Sequence, residues 1–290
     1  MKSISDLHTH TVFSDGTLTP KELIDLAVET GLCAIALTDH NTARGLSDFF
    51  AAAEGKDIDA IGGTELSCDY NGREIHIVGL FLSLDDAKRV EDLMYQMKQN
   101  KIISNKELIE KLARDGYDIS YDDVARSVEG YMNRAHIAAY LVSKGYFANR
   151  QEVFDALLQP YGKYYTPPKT ISAFEGIEFL NSLGAVSVLA HPYLSIPEGQ
   201  MDDFLARAKA SGLDAMETVY TTYDEETTVK AKAMAEKYGL LESGGSDFHG
   251  DNKPDTKLGV GYGSIGFTRE QYLKLKVRRD EKIKGDGRSA

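Results

Sequence analysis

Apolar and polar positions along this chain follow two alternating periods. Short apolar runs at Cys33 to Leu37, Ala60 to Cys68, Ala185 to Ala190, Asp214 to Tyr220 and Leu240 to Ser243 predict buried strands. Between them the spacing is helical. Thr19-Pro20 opens a helix with proline at a favoured first position, Leu23, Leu26 and Ala27 form its apolar stripe, and Gly31 ends it. Further helices are predicted over Ala43 to Ala53, Ser172 to Leu183, Met201 to Ser211 and Asp224 to Tyr238. Asn71-Gly72 is a two-residue turn signal into a strand from Glu74 to Leu82, which implies one antiparallel pair in an otherwise parallel arrangement. Alternation of this kind belongs to an α/β sheet flanked by helices.

From Asp85 the period changes. Val90, Leu93, Met94 and Met97 recur at helical spacing, as do Leu108, Ile109 and Leu112, and no strand of comparable strength returns before Ala185. Pro167-Pro168 closes the stretch. Residues 1–84 and 169–290 therefore read as one barrel-like α/β domain, split in sequence by a helical insertion domain at 85–168. The tail from Arg269 mixes charges and has no sustained apolar stripe after Leu275, so its end is expected to fray.

Composition narrows the classes. A chain of 290 residues can bury a large core plus a smaller module. Its net charge of −12 argues against a long duplex nucleic acid held through its phosphates, which needs clustered Lys and Arg. Cys33 and Cys68, both beside apolar residues, read as reduced core thiols. No signal peptide separates Met1-Lys2-Ser3 from the first motif and no apolar run approaches membrane-spanning length, so a cytoplasmic protein without membrane partners is expected.

The candidate chemistry lies in the histidines. Six of the seven sit in short motifs: Asp6-Leu7-His8-Thr9-His10 followed by Asp15, Thr38-Asp39-His40, His76, Ala190-His191-Pro192, and Ser246-Asp247-Phe248-His249. With Glu65 they make a nitrogen and oxygen donor set large enough for more than one metal ion. His8 and His10, two apart in a strand-like segment, leave the same face. Asp39-His40, Glu65 and His191 each follow an apolar run, and Asp247 and His249 follow Leu240-Leu241 across an expected Gly-Gly turn. All would thus stand where strands stop, the position at which barrel-type α/β proteins place their chemistry. His76 faces opposite to Ile75 and Ile77. Asp39 is read as the partner that orients a ligating imidazole through its other nitrogen.

Asp-Leu-His-Thr-His at 6 to 10, Ser14-Asp15-Gly16, Leu-Thr-Asp-His at 37 to 40, Gly-Thr-Glu-Leu at 63 to 66, His191-Pro192 and Ser-Asp-Phe-His at 246 to 249 together resemble the polymerase and histidinol phosphatase (PHP) superfamily. The resemblance runs from Leu7 to about Gly263. It implies a distorted (β/α)7 barrel with a trinuclear metal site. In that arrangement His8 and His10 share one ion with Glu65 and Asp247, and Glu65 bridges to a second ion held by His76 and His191. Asp15, His40 and His249 hold the third. Asp15 stands where typical histidinol phosphatases carry His, which counts against histidinol phosphate as substrate. Mixed His and carboxylate sites suit manganese, iron and zinc, with Mn or Fe favoured here.

The resemblance also implies a hydrolase that attacks a phosphate ester with a metal-activated water and no protein nucleophile. The insertion, with Asn133-Arg134-Ala135-His136, looks like the branch of nucleotide phosphatases and small exoribonucleases, in which an Arg and a His of the insertion bind substrate. Asn133 can cap a helix running to Ser143, placing Arg134 and His136 in a first turn that favours anions. Lys163, among tyrosines, is a further phosphate-binding candidate. The expected activity is phosphatase action on a nucleoside monophosphate or 3′,5′-bisphosphate. The alternatives are 5′ to 3′ digestion of short RNA, histidinol phosphate hydrolysis, and a non-catalytic structural PHP module.

Overall fold

The computed structural model describes residues 4–126, 132–263 and 265–285. The chain begins with β1 (Ile4–Asp6), α1 (Pro20–Glu29), β2 (Ala34–Leu37), α2 (Leu46–Ala53), β3 (Asp59–Tyr70) and β4 (Arg73–Leu80). Four helices follow: α3 (Leu84–Arg114), α4 (Tyr121–Ala125), α5 (Arg134–Ser143) and α6 (Arg150–Leu157). Alternation then resumes with α7 (Ala173–Ser182), β5 (Val186–Leu189), α8 (Pro192–Ser195), α9 (Glu198–Ala210), β6 (Ala215–Tyr220), α10 (Glu225–Lys237), β7 (Leu241–Gly245), β8 (Phe267–Thr268) and α11 (Arg269–Gly285). Two compact units result, Met1–Asp92 with Ile171–Ala290 and Leu93–Thr170, the division falling inside α3. Residues 127–131 of the expected insertion lie outside the described residues.

Local chemistry sets these elements. Thr19 and Glu22 form a reciprocal capping box on α1 with Pro20 at its start, and Ser172 and Glu175 do the same for α7. Each such cap is worth about 0.5–2 kcal/mol. Asn71 and Gly72 take φ of 54° and 78°, the positive values that a tight hairpin turn requires, so β3 and β4 pair antiparallel.

One sheet runs β7-β6-β5-β4-β3-β2-β1-β8. Neighbours are parallel except that β4 opposes both β3 and β5, and the short β8 opposes β1. The sheet closes through the segment just past β1: Leu7 donates to the Gly244 carbonyl (3.2 Å), Asp247 to His8 (2.9 Å) and His10 to Phe248 (2.9 Å). This is the expected distorted (β/α)7 barrel. Its interior alternates small and branched residues, among them Ala34, Ala36, Ile61, Val78, Val188 and Ala215. The unit Leu93–Thr170 has a core of its own around Leu108, Leu112, Ile137, Leu141 and Val153.

Two expectations are corrected. Gly244 and Gly245 are the last residues of β7 rather than a turn. A Cβ on Gly245 would stand 2.5 Å from the His8 backbone nitrogen and Cβ, and one on Gly244 2.7 Å from the Val219 carbonyl, so the pair exists to let strands approach at the closure. Glu65 lies inside a strand, not at its end, because β3 and β4 extend as a hairpin past the barrel mouth; Glu65 still bridges His40 at mouth level, and His76 lies within β4 as expected. The tail is helical through α11. Tyr272 and Leu275 are buried in the barrel core, each contributing roughly 1.5–3 kcal/mol. Beyond them Arg278 (2.8 Å) and Lys282 (2.5 Å) pair with buried Asp214, at the end of the strands opposite the histidines. The final stretch 286–290, where fraying was expected, lies outside the described residues.

The closure predicts a contrast between two glycines. Gly245→Ala should destabilise the metal-free protein by about 1–3 kcal/mol through overpacking against His8. Gly199→Ala, in α9 with open space around its Cβ, should be neutral or stabilising. Urea unfolding midpoints decide this, and equal midpoints would remove the close-approach explanation.

Candidate metal centre

Glu65 organises the barrel mouth. Its carboxylate is completely buried, and five imidazoles from four other segments surround it. Oε1 lies 2.9 Å from His76 Nδ1 and 3.0 Å from His191 Nε2. Oε2 lies 3.0 Å from His40 Nδ1, 3.2 Å from His8 Nε2 and 3.4 Å from His10 Nε2. On the far side of His8 and His10, Asp247 Oδ1 stands 3.1 Å from His10 Nε2 and 3.6 Å from His8 Nε2. Asp15, the most exposed member, lies 3.3 Å from His249 Nε2, 3.7 Å from His10 Nδ1 and 3.8 Å from His40 Nε2. All nine expected ligands are thus brought together.

Four compact donor groups emerge: His10, Asp15, His40 and His249; His8, Glu65 and His191; His8, His10 and Asp247; and His40, Glu65 and His76. His10 therefore reaches toward Asp15 as well as toward Asp247. Six donor atoms in this centre are buried without a hydrogen bond: His8 Nε2, both nitrogens of His10, Glu65 Oε2, His76 Nδ1 and His191 Nδ1. Orphaned polar atoms are costly and rare in folded interiors. Their concentration at one place, on hard oxygen and borderline nitrogen donors, fits a divalent metal.

The backbone is bent to present these groups. His191 (φ 28°) and Asp247 (φ 54°) occupy positive φ, as does Asn41 (φ 54°) directly after His40. Such conformations cost roughly 1–3 kcal/mol each for a non-glycine residue. Specific hydrogen bonds hold them: Asp247 donates to the His8 carbonyl, and the Asn41 side chain accepts from Ser67 and donates to its hydroxyl.

Protonation reflects the crowding of acids. Burial drives His8 toward neutrality, but Glu65, Glu217 and Asp247 outweigh it and hold its pKa well above the ordinary value. His76 behaves alike: burial opposes the charge, and the adjacent carboxylates of Glu65 and Glu74 raise its pKa to about 9. His40 is lowered to about 4 by burial, with Glu65 opposing and His10 adding to the effect. Burial favours neutral Glu65, yet the His8 charge, the bond with His191 and the adjacent His76 imidazole hold it well below its usual value. In the metal-free protein, protons on His8 and His76 supply part of the missing positive charge.

Several supporting residues were not legible in sequence. Glu217, buried on β6, contacts His8 Nδ1 at 2.7 Å and accepts from the His191 backbone at 2.6 Å. Tyr220 and Lys253 both donate to Asp247 Oδ2 at 2.7 Å, leaving Oδ1 to the histidines. Glu74 bonds His76 Nε2 at 2.8 Å. The only available signal was the i, i+2 spacing of Glu74 with His76 on one strand face. Asp39 does not orient an imidazole as expected. Its carboxylate accepts from the Thr11 backbone (2.7 Å), the Thr11 hydroxyl (2.6 Å) and the Ser14 hydroxyl (2.6 Å), so it fixes the loop that carries Asp15.

The insertion residues lie in the unit Leu93–Thr170. Asn133 caps α5 as expected, accepting from Ala135 and His136, while His136 Nδ1 accepts from the Asn133 backbone. Arg134 stacks 4.4 Å over the Tyr165 ring and donates to the Leu158 carbonyl. Lys163 is paired with Asp115 and lies over Tyr164.

Comparison with known proteins agrees with this geometry. The PHP domain family matches residues 6–167. A 5′-3′ exoribonuclease of Haemophilus influenzae is 32% identical over 247 residues, 84% of this chain and 89% of that protein. A 3′,5′-nucleoside bisphosphate phosphatase of Chromobacterium violaceum is 27% identical over 257 residues, 88% of this chain and 90% of that protein. A solved structure from Bifidobacterium adolescentis, described as a metal-dependent phosphoesterase, superposes with a TM-score of 0.62 at 28% identity, covering 94% of this chain and 96% of its own.

Protons on His8 and His76 compete with metal. Ligation needs neutral imidazoles, so uptake should release protons, and apparent affinity should rise with pH until about 9, where metal-free His76 loses its proton. Each displaced proton gives about tenfold per pH unit. Calorimetric titration of stripped protein at roughly pH 6.5 and 8.5, in buffers of different ionisation heat, measures both. Equal affinities with no proton release would contradict this reading of the centre.

Proposed function

The chain belongs to the PHP domain family of metal-dependent phosphoesterases, and from that premise we propose that it hydrolyses the phosphate monoester of a small nucleotide, a nucleoside monophosphate or 3′,5′-bisphosphate. The observation that carries the reading is the buried Glu65 carboxylate ringed by five imidazoles, with six buried donor atoms of His8, His10, Glu65, His76 and His191 left without a hydrogen bond. The ligand set proposed is His8, His10, Asp15, His40, Glu65, His76, His191, Asp247 and His249, shared among three divalent ions with Glu65 bridging. Manganese or iron is favoured over zinc. Such ions polarise a phosphoryl oxygen, lower the pKa of water and stabilise a leaving oxygen.

The chain's own residues divide the remaining work. His8, His10 and Glu65 are fully buried and form a rigid floor that excludes bulk water. Asp15 (55% exposed), His40 (24%) and His76 (19%) form the accessible side, toward which a phosphate would approach. Burial pushes the Cys68 thiol up to about 12 and raises that of Cys33, so neither offers a thiolate nucleophile. In the insertion, the Arg134 and His136 side chains are proposed to bind substrate phosphate. Arg134 keeps guanidinium donors beyond its one bond to Leu158, and His136 keeps Nε2 free of the capping box. The Lys163 charge is already met by Asp115, which leaves it the weaker candidate.

Stepwise 5′ to 3′ digestion of short RNA is the second reading, favoured by the Haemophilus influenzae relative. Metal-stripped protein reloaded with Mn, Fe or Zn should release inorganic phosphate from mononucleotides or 3′,5′-bisphosphates with higher kcat/KM than it releases mononucleotides from an oligonucleotide. The reverse order would establish the exonuclease reading.

If the insertion binds phosphate, Arg134→Ala and His136→Ala should retain metal binding while losing catalysis. Loss of a charge-assisted contact costs about 1.5–3 kcal/mol, or roughly one to two decades in kcat/KM. Wild-type kcat/KM in both variants would end the phosphate-binding assignment.

A further inference from the structure

Glu217 is almost fully buried on β6, yet it lies outside every compact donor group in the centre. Both of its oxygens are spent on expected ligands from two different strands. Oε1 is 2.7 Å from His8 Nδ1, just past β1, and Oε2 accepts the His191 backbone N–H at 2.6 Å, just past β5. The two rings stack with centroids 5.6 Å apart. With Glu65 they form one fully buried donor group.

A carboxylate can only accept, so the His8 nitrogen facing Glu217 carries hydrogen, and Nε2, on the Glu65 side, is the nitrogen left to offer a lone pair to a metal ion once its own proton is displaced. The second oxygen acts on conformation. His191 has φ 28° and ψ 53°, a backbone geometry that an L-residue adopts only when held there. Its N–H points at Glu217. One side chain therefore governs the ring orientation of one donor and the turn that presents another.

We propose that Glu217 is the positioning residue of the His8–Glu65–His191 pocket, so that divalent-ion affinity at this pocket depends on it while the His10–Asp15–His40–His249 pocket does not. The inference rests on the metal-centre reading above. It also explains why Glu217 is buried so close to Glu65 and Asp247: two hydrogen-bond donors require an acceptor at that place.

Glu217→Gln separates this role from mere packing. Glutamine keeps the volume but has one acceptor and one NH2 group, so whichever way it turns, a donor faces either His8 Nδ1 or the His191 N–H. Thr218→Val is the control, since Thr218 is the next residue on β6 and bonds Glu242 instead (3.0 Å). Metal-stripped full-length protein would be titrated calorimetrically with Mn2+ or Zn2+ alone. In Glu217→Gln the sites that use His8 or His191 should weaken by about 10–100-fold, with the His10–Asp15–His40–His249 site, which contains neither residue, and the melting temperature of the metal-free protein kept. Thr218→Val should match wild type. Unchanged affinities in Glu217→Gln, equal weakening of all classes, or the same loss in Thr218→Val would overturn the proposal. A measurement on wild type does not depend on a variant folding: long-range 1H–15N spectra of zinc-loaded protein should show hydrogen on His8 Nδ1, and hydrogen on Nε2 would overturn it equally. If wild type itself takes up no divalent ion, the metal-centre reading fails first, a result distinct from wild-type binding that Glu217→Gln leaves untouched.

Discussion

A carboxylate with no access to water, pressed against five imidazoles, is the constraint from which the architecture of the barrel mouth follows. An isolated buried charge is prohibitively unfavourable, so Glu65 must be compensated locally. The protein does this in layers. His8, His10, His40, His76 and His191 supply the first; Glu217 and Glu74 bind the outward nitrogens of His8 and His76. Asp247 is held in turn by Tyr220 and Lys253 on one oxygen, which reserves the other for the histidines. Even so, six buried donor atoms in the centre have no hydrogen bond, a deficit that divalent ions fit and that protons on His8 and His76 relieve only in part.

Collecting these groups requires strand ends from around the sheet to reach one level. Parallel strands deliver Asp39-His40, His191 and Asp247 at their carboxyl ends, while antiparallel β4 can contribute only from its first half, which is where His76 stands. Closure depends on glycine at 244 and 245, since a side chain would push β7 away from Val219 at the first and from His8 at the second. At the opposite end α11 plugs the barrel with Tyr272 and Leu275 and is tied by Arg278 and Lys282 to Asp214. The stable end and the chemical end of the barrel are therefore separate, and the positive-φ residues Asn41, His191 and Asp247 stand at the latter.

The unit Leu93–Thr170 obeys simpler rules. Its helices surround an independent apolar core, and Arg134 is held by stacking on Tyr165 rather than by a carboxylate. A guanidinium anchored on an aromatic face keeps its full charge for an anion, whereas Lys163, paired with Asp115, does not. This electrostatic difference ranks the two candidates without reference to the barrel.

Periodicity, caps and turn residues are local, and they carried the element order, the β3–β4 hairpin, the helical insertion and the Asn133 cap in the sequence alone. The nine candidate ligands were legible because each sits in a short motif of unusual residue type. What sequence could not carry was every relation between distant positions. His8 meets Glu217 across 209 residues, and nothing near either one announces the other. Asp39, two residues after an apolar run, had the right type and place to support an imidazole, yet the loop at Thr11 and Ser14 claimed its carboxylate. Gly244-Gly245 looked like a turn because a turn is the commonest local use of two glycines, while their actual use is set by His8 and Val219 packing against them. The α11 tail has too few apolar residues to predict an ordered helix, and only the burial of Tyr272 and Leu275 beneath the barrel decides that it is one.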